Sequence, residues 1–442
     1  MTALVAEREA YREDFAEFRS GRREPPWLAE LREAAYQRFA ERGYPTTREE
    51  AWRFTSVAPI ARTRFARPAP GTRLGSSEAL RLSLGGAVPG PRAVFVNGRF
   101  APELSALDGA ATVTSLADAI AADAQPLAPL LGRVAAPAGA FADLNAAFAE
   151  DGALVRIPAG RRLEAPLHLL YVSVPPGDGA PTVSHPRTLV VAGRGSEATL
   201  VEKFGGPDGR AYFTNAVTEV VLEDGAGLAH YRIQREGRAA FHVATLAVRQ
   251  GRDSRYAGLR VALGAALARA DVAVRLLGEG AECRLDGLFL ADGEQHTDSH
   301  TAIDHAVPRT ASRELYKGVV GDRARGVFHG TVLVRPGAQK TDAHQANYNL
   351  LLSREALVHS TPALEIRADD VKCKHGSTTG QLDATALFYL RSRGIGEAAA
   401  RGLLTFAFAS ELVSRIRVPA LRFAVLALLE ARLPGVPVEA VA

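Results

Sequence analysis

Cysteine, tryptophan and lysine are scarce in this 442-residue chain, which carries two, two and five of them beside forty-eight arginines. Two cysteines ninety residues apart, Cys283 and Cys373, form neither a disulfide framework nor a CxxC pair, and this points to a reducing compartment. No apolar run approaches the roughly 18–20 residues needed to cross a bilayer. The opening stretch MTALVAEREAYREDF is charged from residue 7 onward and lacks an apolar signal core, so a cytoplasmic protein is expected. Charge of one sign is also lacking: the formal net charge is +4, with acidic and basic residues interspersed. A pI near 9.1 therefore reflects arginine usage, and no basic stripe supports a nucleic-acid partner. The phosphate loop Gly-x-x-x-x-Gly-Lys-Ser/Thr is absent, as are the Gly-x-Ser-x-Gly elbow and the Rossmann fingerprint. ATP hydrolysis, serine-hydrolase chemistry and dinucleotide binding have no support in this chain.

What is present divides the chain by period. Tyr11, Phe15 and Phe18, then Leu28, Leu31, Ala35 and Phe39, recur at helical spacing on either side of Pro25-Pro26, so residues 1–60 read as a helical region. Residues 61–155 are mixed, rich in Ala, Pro and Gly, and can be placed only as a connection. From 156 to 390 short strand-like runs follow one another between Gly, Asp and Pro, among them Leu189–Ala192, Val217–Leu222, His242–Val248 and Thr331–Val334. Gly193–Gly195 and Gly278–Gly280 read as turns. Many short strands without crossover helices suggest a sandwich, a barrel or a β-solenoid, and pattern alone leaves the three open. Helical spacing returns over 391–442, with Leu404, Phe408, Leu412 and Ile416 on one stripe and Glu411 and Arg415 as an i, i+4 pair. A last helix starts at Pro419 and ends near Pro434-Gly435. If the strands form a solenoid, its ends need capping or pairing, and the flanking helical regions supply candidate caps.

Two polar constellations carry chemistry. Cys373 and His375 stand two apart, so on a strand they share a face, with a thiolate and an imidazole about 6–7 Å apart. Lys372 and Lys374 bracket the cysteine, and ammonium neighbours favour a thiolate. Two ligands are too few for an iron–sulfur cluster, which takes about four, so a second chain would have to supply the others. His296, Asp298 and His300 would also share one face of a strand, as a metal triad of a stand-alone metalloenzyme or as a structural polar ladder. Cys283, His329, His344 and His359 have no spacing that demands a metal and read as core or surface residues.

The run from Glu365 to Ile395, EIRADDVKCKHGSTTGQLDATALFYLRSRGI, resembles the signature of the SufB/SufD family of iron–sulfur cluster assembly scaffolds, in its SufD branch. Tyr316-Lys317-Gly318, Lys340-Thr341-Asp342-Ala343 and Asn347–Ser353 are similar to the core of that family, and Glu49–Thr55 and Val94–Gly98 to its amino-terminal markers. The resemblance implies a mainly β fold with flanking helices: a right-handed parallel β-helix core between N-terminal and C-terminal helical domains. It also implies a non-catalytic scaffold subunit that pairs with SufB through the β-helix and with the ATPase SufC through the C-terminal helices, in a complex of one B, two C and one D. The β-helix edge near residues 365–385 could pair with itself as readily as with SufB, so a homodimer of the isolated chain stays open. His375, with Cys373, would ligate a transient iron–sulfur cluster or iron shared with SufB, with no stably bound cofactor. Phe406, Phe408, Glu411 and Arg415 are the residues assigned to the ATPase-facing side.

Overall fold

The computed structural model describes residues 2–69, 71–72, 74–82, 89–107, 112–135, 139–177 and 179–433. Its body is a β-solenoid of about seven turns built from two facing, almost wholly parallel sheets. Successive strands alternate between the sheets, so the chain winds and each turn lies in register on the one before. In one sheet Gly227, Arg255, Glu282, Ala311, Asp342 and Lys372 stack on consecutive turns. The four runs read as strands from the sequence fall inside Arg187–Ala192, Tyr212–Leu222, Phe241–Gln250 and Arg325–Val334.

The stacking explains why the inward positions of the strands are rich in β-branched residues. Val190, Val220, Val248, Val274, Ile303 and Val332 form one inward column through six turns, and all are buried. Each covers the next at the inter-strand spacing of about 4.8 Å, so one residue type can repeat indefinitely along the axis. Corners between strands need close backbone approach. At Gly278 an added Cβ would lie 2.1 Å from the Arg252 nitrogen, and Gly280 takes a φ of +74°.

Two features escaped the sequence reading. Within the connecting region, Arg92–Val96 pairs in parallel with Leu167–Val172, and Thr112–Ser115 pairs antiparallel with Gly152–Ile157, so this region supplies the first strands of both sheets. The second feature is a correction. The C-terminal helices do not cap the end of the solenoid. Glu397–Val413 and Pro419–Glu430 fold back along its side, where Ala409, Leu412, Ile416, Leu421, Val425 and Leu429 pack on the outward residues Val201, Tyr231, Ile233, Leu259, Val261 and Leu288. An outward apolar stripe on the sheet attracts the apolar stripe of the hairpin more than the end of the solenoid does. The expected helix end at Pro434-Gly435 lies outside the described residues.

At the other end of the chain, the helices Thr2–Arg19 and Pro26–Arg42 pack with Ala140–Phe148 through Phe15, Phe18, Tyr36, Phe39, Leu144 and Phe148. The loop that precedes Ala140–Phe148 is fixed to the outer sheet face by Glu219, which accepts hydrogen bonds from the backbone of Gly132, Val134 and Ala135 at 2.9–3.0 Å. The same carboxylate pairs with Arg187 at 2.7 Å, with both side chains buried. Removing one partner of such a buried pair leaves an uncompensated charge, so Glu219→Ala is expected to destabilise the chain by about 3–5 kcal/mol in denaturant unfolding. A loss below about 1 kcal/mol would show that the loop is held by other contacts.

Candidate functional site

The solenoid stays open at its last turn. Leu357–Ile366 ends one sheet and Lys372–Gly380 the other, and among the described residues each has a strand partner on one edge only. Outside the corners, side chains of earlier turns are mainly buried on their inner face, whereas His375, Ser377 and Thr379 are exposed. The register sets Cys373 on Ala343, His375 on Gln345 and Ser377 on Asn347, so all three belong to the inward columns. Cys373 and His375 therefore share a face as the alternation predicts, and that face is the open mouth of the lumen.

The electrostatic argument for Cys373 is overturned. Alternation turns Lys372 and Lys374 to the opposite face, and Cys373 packs against the lumenal core. Burial pushes its thiol up from the usual range, a backbone hydrogen bond at Ala343 opposing it. The exposed imidazole of His375 is thus the more available donor of the two. Beneath it, Gln345 donates to Glu314 at 2.7 Å, and Asn347 accepts from Ser360 at 2.7 Å, so the mouth has a hydrogen-bonded floor. Glu314 is fully inside, and burial pushes its carboxyl up to about 7 against the hydrogen bonds of Thr301 and Gln345.

The second constellation is engaged in holding the fold. Asp298 lies on the outer face, where Arg269 Nη1 donates to it at 2.7 Å and Thr55 Oγ1 at 2.6 Å. Thr55 also contacts His296 Nε2 at 2.8 Å, and the Arg269 guanidinium lies 3.6 Å from the Trp52 ring centroid. His300 pairs with Asp298 and stacks on His329, while His359 stacks on Phe54. These side chains pin the segment around Trp52–Thr55 to the sheet. Among the described residues no group of three or more His, Cys, Asp or Glu is arranged to hold a metal ion. Cys283 packs inside the solenoid, as its alternating surroundings suggest.

The four C-terminal residues sit differently from the sequence reading. Phe406 is buried in the cluster joining hairpin and sheet. Phe408 is half-buried, with the Lys317 ammonium 4.4 Å from its ring centroid. Glu411 takes Lys317, and Arg415 donates to Asp286 at 2.6 Å, so the expected Glu411–Arg415 pair gives way to two contacts with the solenoid. Burial pushes the Asp286 carboxyl up to about 6, with Arg415 opposing. Uncovered apolar surface lies instead on the helix Ala384–Ser392, which buries none of its residues and exposes Phe388 at 73% and Tyr389 at 57%, and at Phe423 of Pro419–Glu430, exposed at 55%. The sequence signal was present in Leu387-Phe388-Tyr389-Leu390, whose two aromatics fall on neighbouring positions with no helical stripe to bury them.

Residues 176–408 match the family described as SUF system FeS cluster assembly, SufBD core domain, and residues 7–169 match the SufBD protein N-terminal region. An iron–sulfur cluster assembly SufBD family protein of Synechocystis is 37% identical over 89% of this chain and 89% of its own length. The iron–sulfur cluster assembly protein SufD of Escherichia coli is 32% identical over 90% of this chain and 92% of its own. SufD of Bacillus subtilis is 26% identical over 65% of each.

Folded Glu314 holds its proton more tightly than a glutamate in the unfolded chain. Its contribution is complete below the ordinary carboxylate range and is lost as pH rises through about 7. The loss is on the order of 3 kcal/mol at full ionisation. Thermal unfolding between about pH 5 and 8 is expected to show wild type weakening with rising pH, and Glu314→Gln weakening distinctly less. Parallel curves for the two proteins would remove Glu314 from the pH dependence.

Proposed function

The chain belongs to the SufBD family of iron–sulfur cluster assembly proteins, and we propose that it is a non-catalytic scaffold subunit whose open last turn forms half of a cluster-building site. The observation that carries the reading is the exposure of His375 on the inner face of a turn whose outer strand edges have no neighbour among the described residues. A parallel strand edge with unpaired N–H and C=O groups is a template for another chain. The partner that fits is the β-helix of SufB, which would continue the sheets and bring further ligands to the mouth.

Ligand number supports a shared site. His375 and Cys373 offer two donors, about half of the usual cluster shell, so a nascent cluster or iron here is cargo held jointly and released readily. His375 is the better donor because its ring is exposed, whereas the Cys373 thiol is half-buried and held protonated by its surroundings. Work on the complex by ATP would come from SufC, since this chain has no phosphate loop. SufC docking falls on the C-terminal helical region, where Phe388 and Tyr389 supply the most exposed apolar surface; Phe406, Phe408, Glu411 and Arg415 hold the hairpin that follows them against the solenoid.

Co-expression with a SufB and SufC pair, followed by native mass spectrometry, is expected to give a complex of one B, two C and one D. A chain that remains a monomer or a homodimer beside both partners would sink the proposal. Within the complex, His375→Ala is expected to abolish cluster maturation, read from the iron and sulfide content and the visible absorption, with assembly unchanged. Cys373→Ser is expected to have the smaller effect. Replacing Phe388 and Tyr389 together by serine is expected to weaken SufC binding at least about tenfold, since each removes a large apolar contact, and to leave SufB binding intact.

A further inference from the structure

The lumen of the solenoid carries charge as well as apolar columns. Glu202, Arg232 and Arg260 stack on three consecutive turns of one sheet, all facing inward and all buried. Neighbouring turns are about 4.8 Å apart, so the two guanidiniums are held close together in an interior shielded from water. Burial, with Arg232 beside it, lowers the Arg260 guanidinium to about 10, which leaves it protonated at neutral pH.

Their obvious counter-charge is already taken. Glu202 accepts from Thr188 at 3.0 Å, from Thr218 at 3.1 Å and from His230 Nε2 at 2.9 Å. Burial keeps His230 neutral, so its Nε2–H donates to Glu202 while Nδ1 accepts from the Tyr256 hydroxyl at 2.9 Å. Farther along the strand, Glu236 is occupied by Thr214, Gln234 and His242. On the other side, burial pushes the Glu314 carboxyl up to about 7, and it accepts its hydrogen bond from Gln345 and not from either arginine. Arg232 has no ion pair among the described residues, and Arg260 has a single hydrogen bond, from Nη1 to Ser299 Oγ at 3.0 Å. The Arg260 Nη2 is buried without a hydrogen-bond partner.

Among the described residues Arg260 therefore has no carboxylate in direct contact, Glu202 and Glu236 being engaged elsewhere, and a buried guanidinium without a contacting counter-ion is costly. The column to which Ser299 belongs carries Ala244 and Ala270 on the turns of the two arginines, so small side chains stand opposite them. We propose that the lumen between Arg232 and Arg260 binds a small inorganic monoanion of about chloride size, which accepts from the unpartnered Nη2 of Arg260 and bridges the two guanidiniums. A monoanion there supplies the counter-charge that Arg260 lacks, and a spherical ion needs no further donors placed at fixed angles. The site lies inside the fold, turns away from the open mouth, and it stabilises the solenoid rather than serving cluster chemistry.

The test uses the full-length chain crystallised in sodium bromide, with data collected at the bromine absorption edge. An anomalous peak within hydrogen-bonding distance of Arg260 Nη2 is expected; water alone in that position would overturn the proposal. In solution, unfolding is compared in sodium chloride and sodium gluconate at equal ionic strength. The midpoint is expected to be higher in chloride by about 2–4 °C, because the small ion binds the folded state alone. Arg260→Met should abolish that difference while Arg255→Met, on the outer surface, should retain it. An equal chloride response in Arg260→Met and wild type would overturn the proposal, and the crystallographic result stands independently should the variant not fold.

Discussion

Register stacking is the constraint on which everything else in this protein depends. Each inward side chain of the solenoid is covered by the residue one turn before it and covers the residue one turn after it. The geometry suits apolar β-branched columns, which repeat without penalty. It also makes every polar inward residue the problem of its immediate neighbours. Glu202 is answered by Thr188, Thr218 and His230 on adjoining strands, and Glu314 by Gln345 one turn on. At the last turn the rule fails, because among the described residues no further turn follows and the chain continues as helices. His375 and Ser377 are ordinary inward positions of a column that has no next turn to cover it.

The open end and the side-packed hairpin are two aspects of one arrangement. Had the C-terminal helices covered the last turn, strand edges and His375 would be shielded from any partner. The outward apolar stripe formed by Val201, Tyr231, Ile233, Leu259 and Leu288 draws the hairpin along the side instead. Lys317 and Asp286 then take Glu411 and Arg415, fixing its position. The assembly function proposed for the chain thus rests on where apolar surface lies outside the solenoid as much as on the residues at its mouth.

Burial reverses two charge arguments that are sound for an exposed strand. Lysines beside Cys373 in sequence lie across the strand from its thiol, so desolvation governs the thiol and their ammonium groups do not. Asp298, between two histidines, looks like a ligand in sequence and is a counter-ion for Arg269 in space. Arg269 comes from the preceding turn, twenty-nine residues upstream, and Thr55 from the amino-terminal segment. Neither distance leaves a trace in local spacing.

The amino-acid sequence by itself determined the succession of short strands, the helical regions on either side, and the pairing of Cys373 with His375 on one face, because period and alternation are local properties of the backbone. The motif between Glu365 and Ile395 carried the family resemblance, and the matches to the SufBD core and N-terminal regions bear it out. Which face of each strand turns inward, which charges meet across turns, and where the hairpin lies were decided only by the tertiary structure. These depend on contacts between residues roughly one solenoid turn or more apart, set by stacking register and by competition for apolar surface. No local pattern records either.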